Sequence, residues 1–97
     1  MTTVVRDFDV AKHLRTSEEM AAYLEAAIIE SDGDPAFIAQ ALGDIARARG
    51  MTELSRETGL GRESLYKALS LGGNPRLGTV LKVAKALGLS FSVKPAA

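Results

Sequence analysis

MTELSRETGLGRESLYKALSLGGNP, residues 51–75, is the stretch that decides the fold. Thr52 stands as the cap of a very short helix containing Leu54, Ser55 and Thr58, and Gly59 ends it. Leu60 and Gly61 bridge to a second helix, RESLYKALSL, over residues 62–71, which GGNP at 72–75 terminates. Two short helices joined by a tight turn containing Gly are the signature of a helix-turn-helix. Ser55 is small enough for a steep helix crossing, and Gly59 can take the positive φ of the turn without a Cβ clash. Leu54, Leu60, Leu65 and Leu69 are the apolar positions that pin the pair onto neighbouring helices. Arg62, Glu63, Ser64, Tyr66, Lys67 and Ser70 are left on the exposed face of the second helix. Its first residues would meet base edges if the helix lies in a major groove. A Gly between short helices also occurs in domains that touch only protein. A helical protein-interaction module therefore stands as the alternative to DNA binding.

Upstream, Thr16 and Glu19 form an S/T-x-x-E capping box, and Met20, Tyr23, Leu24, Ala27 and Ile28 recur at helical spacing, predicting a helix over 17–31. SDGD at 31–34 ends it, and Asp34 followed by Pro35 opens another helix with Phe37, Ile38, Ala41, Leu42 and Ile45 as its apolar stripe. Arg47 and Arg49 suit its C-terminal dipole end, and Gly50 stops it in a left-handed conformation. Downstream, Thr79 to Leu87 is the last helix, with Val80, Leu81, Ala84 and Leu87 on one face. LSFSV at 89–93 has the alternation of a short strand. Residues 1–15 alternate weakly (Val4, Val5, Phe8, Val10, Leu14) and suggest an extended arm or edge strand. The expectation is an all-α single domain over residues 1–97. It divides into an arm and first helix (1–33), a helix-turn-helix core (34–88) and a C-terminal strand or tail (89–97).

Composition narrows the chemistry. The 97 residues are 46% hydrophobic and 5% aromatic, enough for one core, with no Cys and one His. Disulfides, thiolate metal sites and thiol nucleophiles are excluded together, and His13 has no second imidazole with which to build a zinc site. The ESDGD run lacks the downstream Glu of a calcium loop, and the GLG and GG glycines lack a P-loop Lys. Asp44 near Arg47 reads as an i,i+3 ion pair. No catalytic residue, metal ligand or cofactor is expected. No apolar run approaches the roughly 20 residues of a membrane span, and no signal peptide opens the chain, so a soluble cytoplasmic protein is expected.

Zero net charge hides an asymmetry. Residues 1–50 carry five cations (Arg6, Lys12, Arg15, Arg47, Arg49) against nine acids. Residues 51–97 carry seven (Arg56, Arg62, Lys67, Arg76, Lys82, Lys85, Lys94) against three (Glu53, Glu57, Glu63). Opposed halves suggest two surfaces with different partners, one of them polyanionic; the plain alternative is ordinary solvated helix faces.

The stretch ALGDIARARGMTELSRETGLGRESLYKALSLGGNPRLGTVLKVAKALGL resembles the probable addiction-module antidotes, antitoxins with a phage-repressor-like (Cro/C1-type) helix-turn-helix. Upstream, DFDVAKHLRTSEEMAAYLEAAIIESDGDPAFIAQALGDIA is similar to that family's N-terminal region, so the resemblance spans roughly residues 7–92. It implies a lambda-repressor-like fold, a small toxin partner of the RelE-like ribonuclease superfamily, and repression of the operon encoding both. The alternatives are a stand-alone phage-type repressor and a helical module without DNA binding.

Carried over by position, the resemblance makes residues 62–71 the recognition helix. Arg62 is its best base reader, since guanidinium bonds guanine O6 and N7 bidentately. Glu63 either accepts from cytosine or pairs with Lys67, and the ion pair is favoured. Ser64, Tyr66 and Lys67 reach bases or phosphates, Ser70, Asn74 and Arg76 lie where such repressors touch the backbone, and Thr52 with the first amides of its helix is a phosphate site. Gly61 departs from the family, which commonly has Ser there as helix cap. A homodimer reading two half-sites is implied, closed through residues 89–93, the last helix or the N-terminal arm. The acidic N-terminal half complements a basic toxin. Asp7, Asp9, Glu18, Glu25, Glu30, Asp32 and Asp34 are its candidate contacts, with Tyr23 and Leu24 as apolar anchors, although these acids could equally serve solubility and capping.

Overall fold

The computed structural model describes residues 14–96. The extended-arm reading of Val4, Val5, Phe8 and Val10, the acids Asp7 and Asp9, and His13 lie outside the described residues. Within them the protein is all-helical: α1 (Ser17–Glu30), α2 (Pro35–Arg49), α3 (Met51–Thr58), α4 (Arg62–Ala68) and α5 (Leu77–Ala86), with no strand.

The caps predicted for α1 and α2 are both formed. Thr16 Oγ1 accepts the Glu19 N–H at 3.1 Å, and Glu19 Oε1 accepts the N–H of Thr16 at 3.1 Å and of Arg15 at 2.8 Å. Three donors at the helix entrance that would otherwise be orphaned are thus satisfied. Asp34 Oδ1 accepts the Ala36 N–H at 3.0 Å, with Pro35 in the first turn, where its missing N–H costs nothing. α2 is the spine of the core: Ala39, Ala41, Leu42, Gly43, Ile45 and Ala46 are buried along it. α1 lies on α2 through Met20 and Leu24, with Ala27 and Ile28 half-buried beside them. Leu54, Leu65, Leu69, Val83 and Leu87 close the same core from the C-terminal side, each at most 1% exposed.

Four boundaries differ from the expectation. Gly50 ends α2 without entering the left-handed helical region: its φ is +119° and its ψ 115°. Its N–H donates to the Ala46 carbonyl at 2.8 Å while its own carbonyl accepts from Leu54 N–H at 3.0 Å, so one residue closes α2 and opens α3. That abrupt bend leaves no room for Thr52 as a cap, and Thr52 instead lies in the first turn of α3. The second difference is at the end of α4, which stops at Ala68 instead of running to residue 71. Leu69 is fully buried, and the chain then doubles back so tightly that a Cβ on Gly73 would lie 2.1 Å from the Ala68 carbonyl oxygen. Third, α5 starts at Leu77, two residues early, with Arg76 as its N-cap. Finally, residues 89–93 form no strand. Leu89 N–H donates back to the Ala84 carbonyl at 2.8 Å, and Val93 is 99% exposed.

Candidate nucleic-acid interface

The turn between α3 and α4 is held by side-chain hydroxyls. Gly59 sits at φ +76°, ψ 7°, the left-handed conformation expected of it, and its N–H donates to the Ser55 carbonyl at 2.9 Å. Half-buried Ser55 donates its Oγ–H to the Leu60 carbonyl at 2.5 Å. Thr58 Oγ1 donates to the Leu54 carbonyl at 2.8 Å and accepts the Leu60 N–H at 3.2 Å. The three-residue turn therefore carries little conformational freedom, and the direction of α4 relative to α3 is set by local chemistry. Leu54, Leu65 and Leu69 take the core positions expected of them, with Leu60 half-buried against the same cluster.

With Leu65 and Leu69 turned inward, Arg62, Glu63, Ser64, Tyr66 and Lys67 are all exposed on α4. Glu63 and Lys67 do not pair, contrary to expectation. An exposed i,i+4 pair gains only about 0.3–0.5 kcal/mol and must offset the entropy of two long side chains. Among the described residues Arg62 and Lys67 are in no ion pair, whereas the arginines of α2 and α3 are all engaged. Arg47 pairs with Asp44 at 3.6 Å, Arg49 with Glu57 at 3.2 Å, and Arg56 with Glu53. The free positive charge near α4 thus comes from Arg62, Lys67 and the exposed Arg76. Asn74 and Thr52 are exposed as well. Ser70 lies past the helix end and spends its hydroxyl on the Lys67 carbonyl, 3.0 Å away, so only its acceptor capacity is open.

The candidates on α1 separate. Glu18 and Glu25 are exposed. Leu24 is 4% exposed and belongs to the core with Met20, one turn before it, so it is no surface anchor. Tyr23 is half-buried and donates its hydroxyl to Asp44 Oδ2 at 2.6 Å, tying α1 to α2. The Asp44–Arg47 pair expected from spacing is present.

Two positioning residues had no reading of this kind in the sequence. Gly43 faces the end of α4 so closely that a Cβ there would stand 2.0 Å from the Leu69 carbonyl oxygen, which also accepts from Arg47 Nη2 at 3.5 Å. Arg49, read only as a dipole partner, donates Nη1 to the Ala86 carbonyl at 2.9 Å and both Glu57 oxygens accept from its Nη2 at 3.2 Å. One guanidinium thus joins the C-terminal ends of α2, α3 and α5. Among the described residues no group of three or more His, Asp or Glu could hold a metal ion, and no helix is long and apolar enough to cross a membrane.

Comparison with known proteins adds a family to this geometry. The family described as "Probable addiction module antidote protein" matches residues 4–95. An uncharacterized protein of Haemophilus influenzae strain Rd is 51% identical over 94 residues, which is 97% of this chain and 95% of that protein. No solved structure matches.

Proposed function

The chain belongs to the family of probable addiction module antidote proteins, and from that premise we propose that it is the antitoxin of a type II toxin–antitoxin module and a repressor of its own operon. The observation that carries the DNA half of this reading is α4. It is a short helix projected by a hydroxyl-locked turn, with Arg62, Ser64, Tyr66 and Lys67 exposed and its two cations unclaimed by any acid among the described residues. In this reading α3 and α4 are a helix-turn-helix. Arg62, at the first helical position, bonds guanine in the major groove, while Lys67, Arg76 and Asn74 meet phosphates. Glu63 remains free to accept from cytosine N4. One copy carries few phosphate contacts, so binding is that of a homodimer on two half-sites about one helical turn apart. Leu77 and Leu81, 72% and 46% exposed on one side of α5, are suited to packing against their own copies across a two-fold axis.

The toxin half rests on the family and on charge. An antidote implies a toxin, and the resemblance points to the RelE-like ribonucleases, whose polyanionic substrate calls for a basic surface. The acidic N-terminal half, with nine acids against five cations over residues 1–50, is the half offered to it. The protein acts by occlusion, of the toxin's active surface and of the promoter, and performs no catalysis.

Expression in cells tests both halves. The product of the reading frame beside this one should arrest growth when induced alone and not when this chain is co-expressed. A reporter behind the shared promoter should be silenced by the wild type and released by Arg62→Ala. Growth arrest that this chain fails to relieve would refute the antitoxin reading, and a reporter indifferent to the chain would refute autorepression.

A further inference from the structure

A groove of about 570 Å³ runs between α1 and α2, walled by Tyr23, Ala27, Phe37 and Ala41, with Glu30 and Asp44 as its charged residues. We propose that this groove is where the toxin docks, and that its occupant is a cationic amphipathic segment of the toxin, with an apolar side chain seated on Phe37 and a Lys or Arg reaching Glu30. The proposal rests on the antitoxin reading above and assigns it a surface.

Three observations support it. Phe37 belongs by spacing to the apolar stripe of α2, yet it lies at the edge of the buried arc and remains 55% exposed. A large aromatic half in water beside a concavity is what an interface centre needs, since aromatic anchors filling pockets carry most of the binding energy in protein complexes. The charge of the groove has one sign. Its lining holds two acids and no Lys or Arg. Asp44 is already engaged by Tyr23 and Arg47. The open negative charge therefore comes from exposed Glu30, with exposed Asp32 and Asp34 on the adjoining turn. A cationic segment meets attraction at that end and no competing cation in the lining. The walls are also fixed in advance, because the Tyr23–Asp44 bond at 2.6 Å ties the two helices and leaves little ordering cost to binding.

The groove is built from α1, its C-cap Ser31 and α2, so it shares no residue with the α4 face proposed for DNA. Toxin and operator can be held at the same time. A second concavity, between α1 and the C-terminal segment, is lined by Glu18, Glu25, Ile28 and Phe91 and provides the competing location.

The test uses the full chain and, as probe, the small protein encoded beside it, with affinity read by titration calorimetry. Phe37→Glu and, independently, Ala26→Arg, which would place bulk and a like charge in the groove, should each weaken binding at least about thirtyfold. Both positions are exposed, and unchanged thermal unfolding certifies that each variant folds. Glu18→Lys with Glu25→Lys, in the competing location, should change affinity less than about fivefold, the long-range share of a rim charge. Wild-type affinity in both groove variants, or a larger loss in the Glu18/Glu25 variant, would overturn the proposal while leaving the antitoxin reading standing. A wild-type chain that forms no complex with that protein would overturn both.

Discussion

Replacing Gly43 by Ala probes how the end of the proposed recognition helix is seated. A Cβ at this position would lie 2.0 Å from the carbonyl oxygen of Leu69, 3.0 Å from its carbonyl carbon and 3.1 Å from Arg47 Nη1. Ordinary van der Waals contact needs about 3.4 Å or more, so the two backbones must separate by more than 1 Å. Neither side yields easily: Gly43 lies inside α2 between buried Leu42 and half-buried Asp44, and Leu69 is itself fully buried. Overpacking a core by a methyl typically costs about 1–3 kcal/mol, and backbone-on-backbone contact belongs at the upper end. Helix propensity offsets about 1 kcal/mol of that, since Ala is the better helix former. The net expectation is a loss of about 2 kcal/mol, a sizeable part of the roughly 5–15 kcal/mol that stabilises a domain of this size. At about 4–8 °C per kcal/mol, the melting temperature should fall by about 8–16 °C. Thermal and urea unfolding followed by circular dichroism would measure it. Gly78→Ala is the internal control. Gly78 is exposed in α5 with nothing within 4 Å of its built Cβ, so the same substitution there should raise stability by about 0.5–1 kcal/mol. A Gly43→Ala protein at least as stable as the wild type would refute the close approach of α2 to Leu69.

Other substitutions follow from the same contacts. Gly61→Ser should stabilise by about 0.5–1 kcal/mol in a urea titration. Gly61 caps α4 at φ −64°, ψ 146°, which any residue adopts, its nearest neighbour is Ser64 Oγ at 3.9 Å, and a Ser hydroxyl would supply the missing cap bond. Thr16→Ala should cost about 1 kcal/mol and lower the melting temperature by about 4–8 °C, because Glu19 N–H loses its acceptor. Arg49→Lys should also lose about 1 kcal/mol despite keeping the charge. An ammonium cannot hold both Glu57 oxygens and the Ala86 carbonyl in the geometry of the guanidinium fork.

Much of the fold is legible because local chemistry decides it. Thr16 with Glu19, Asp34 with Pro35, and Gly59 each announce a helix end by a bond or a backbone conformation made within a few residues. What the sequence hides depends on tertiary contact. α4 is written as a ten-residue amphipathic run, but it ends at Ala68 because Leu69 must enter the core beside Gly43 and Gly73 must fold back on Ala68. Gly50 reads as a stop signal, and only the packing of α3 on α2 makes it a start signal too. Leu24 and Phe37 both sit in apolar stripes, and periodicity cannot say which edge of a stripe meets the core. The structure buries Leu24 and leaves Phe37 out. Arg49 reaches a carbonyl thirty-seven residues away, which no local pattern encodes. Of the candidate DNA face, spacing marks the residues of α4 itself. Ser70 and Thr52 fall elsewhere in their elements than spacing suggests, because each lies beside one of these shifted boundaries.

Whether α4 reads DNA is decided by a mobility shift with the protein's own upstream DNA at two salt concentrations. Wild-type protein should retard that DNA and not an unrelated duplex, and affinity should fall as salt rises because phosphate contacts release counterions. Arg62→Ala should lose about 1–3 kcal/mol, roughly fivefold to a hundred-and-fifty-fold, and discriminate less between the two duplexes. Specific retardation that Arg62→Ala leaves unchanged, or no retardation even at low salt, would show that α4 is not a DNA reader.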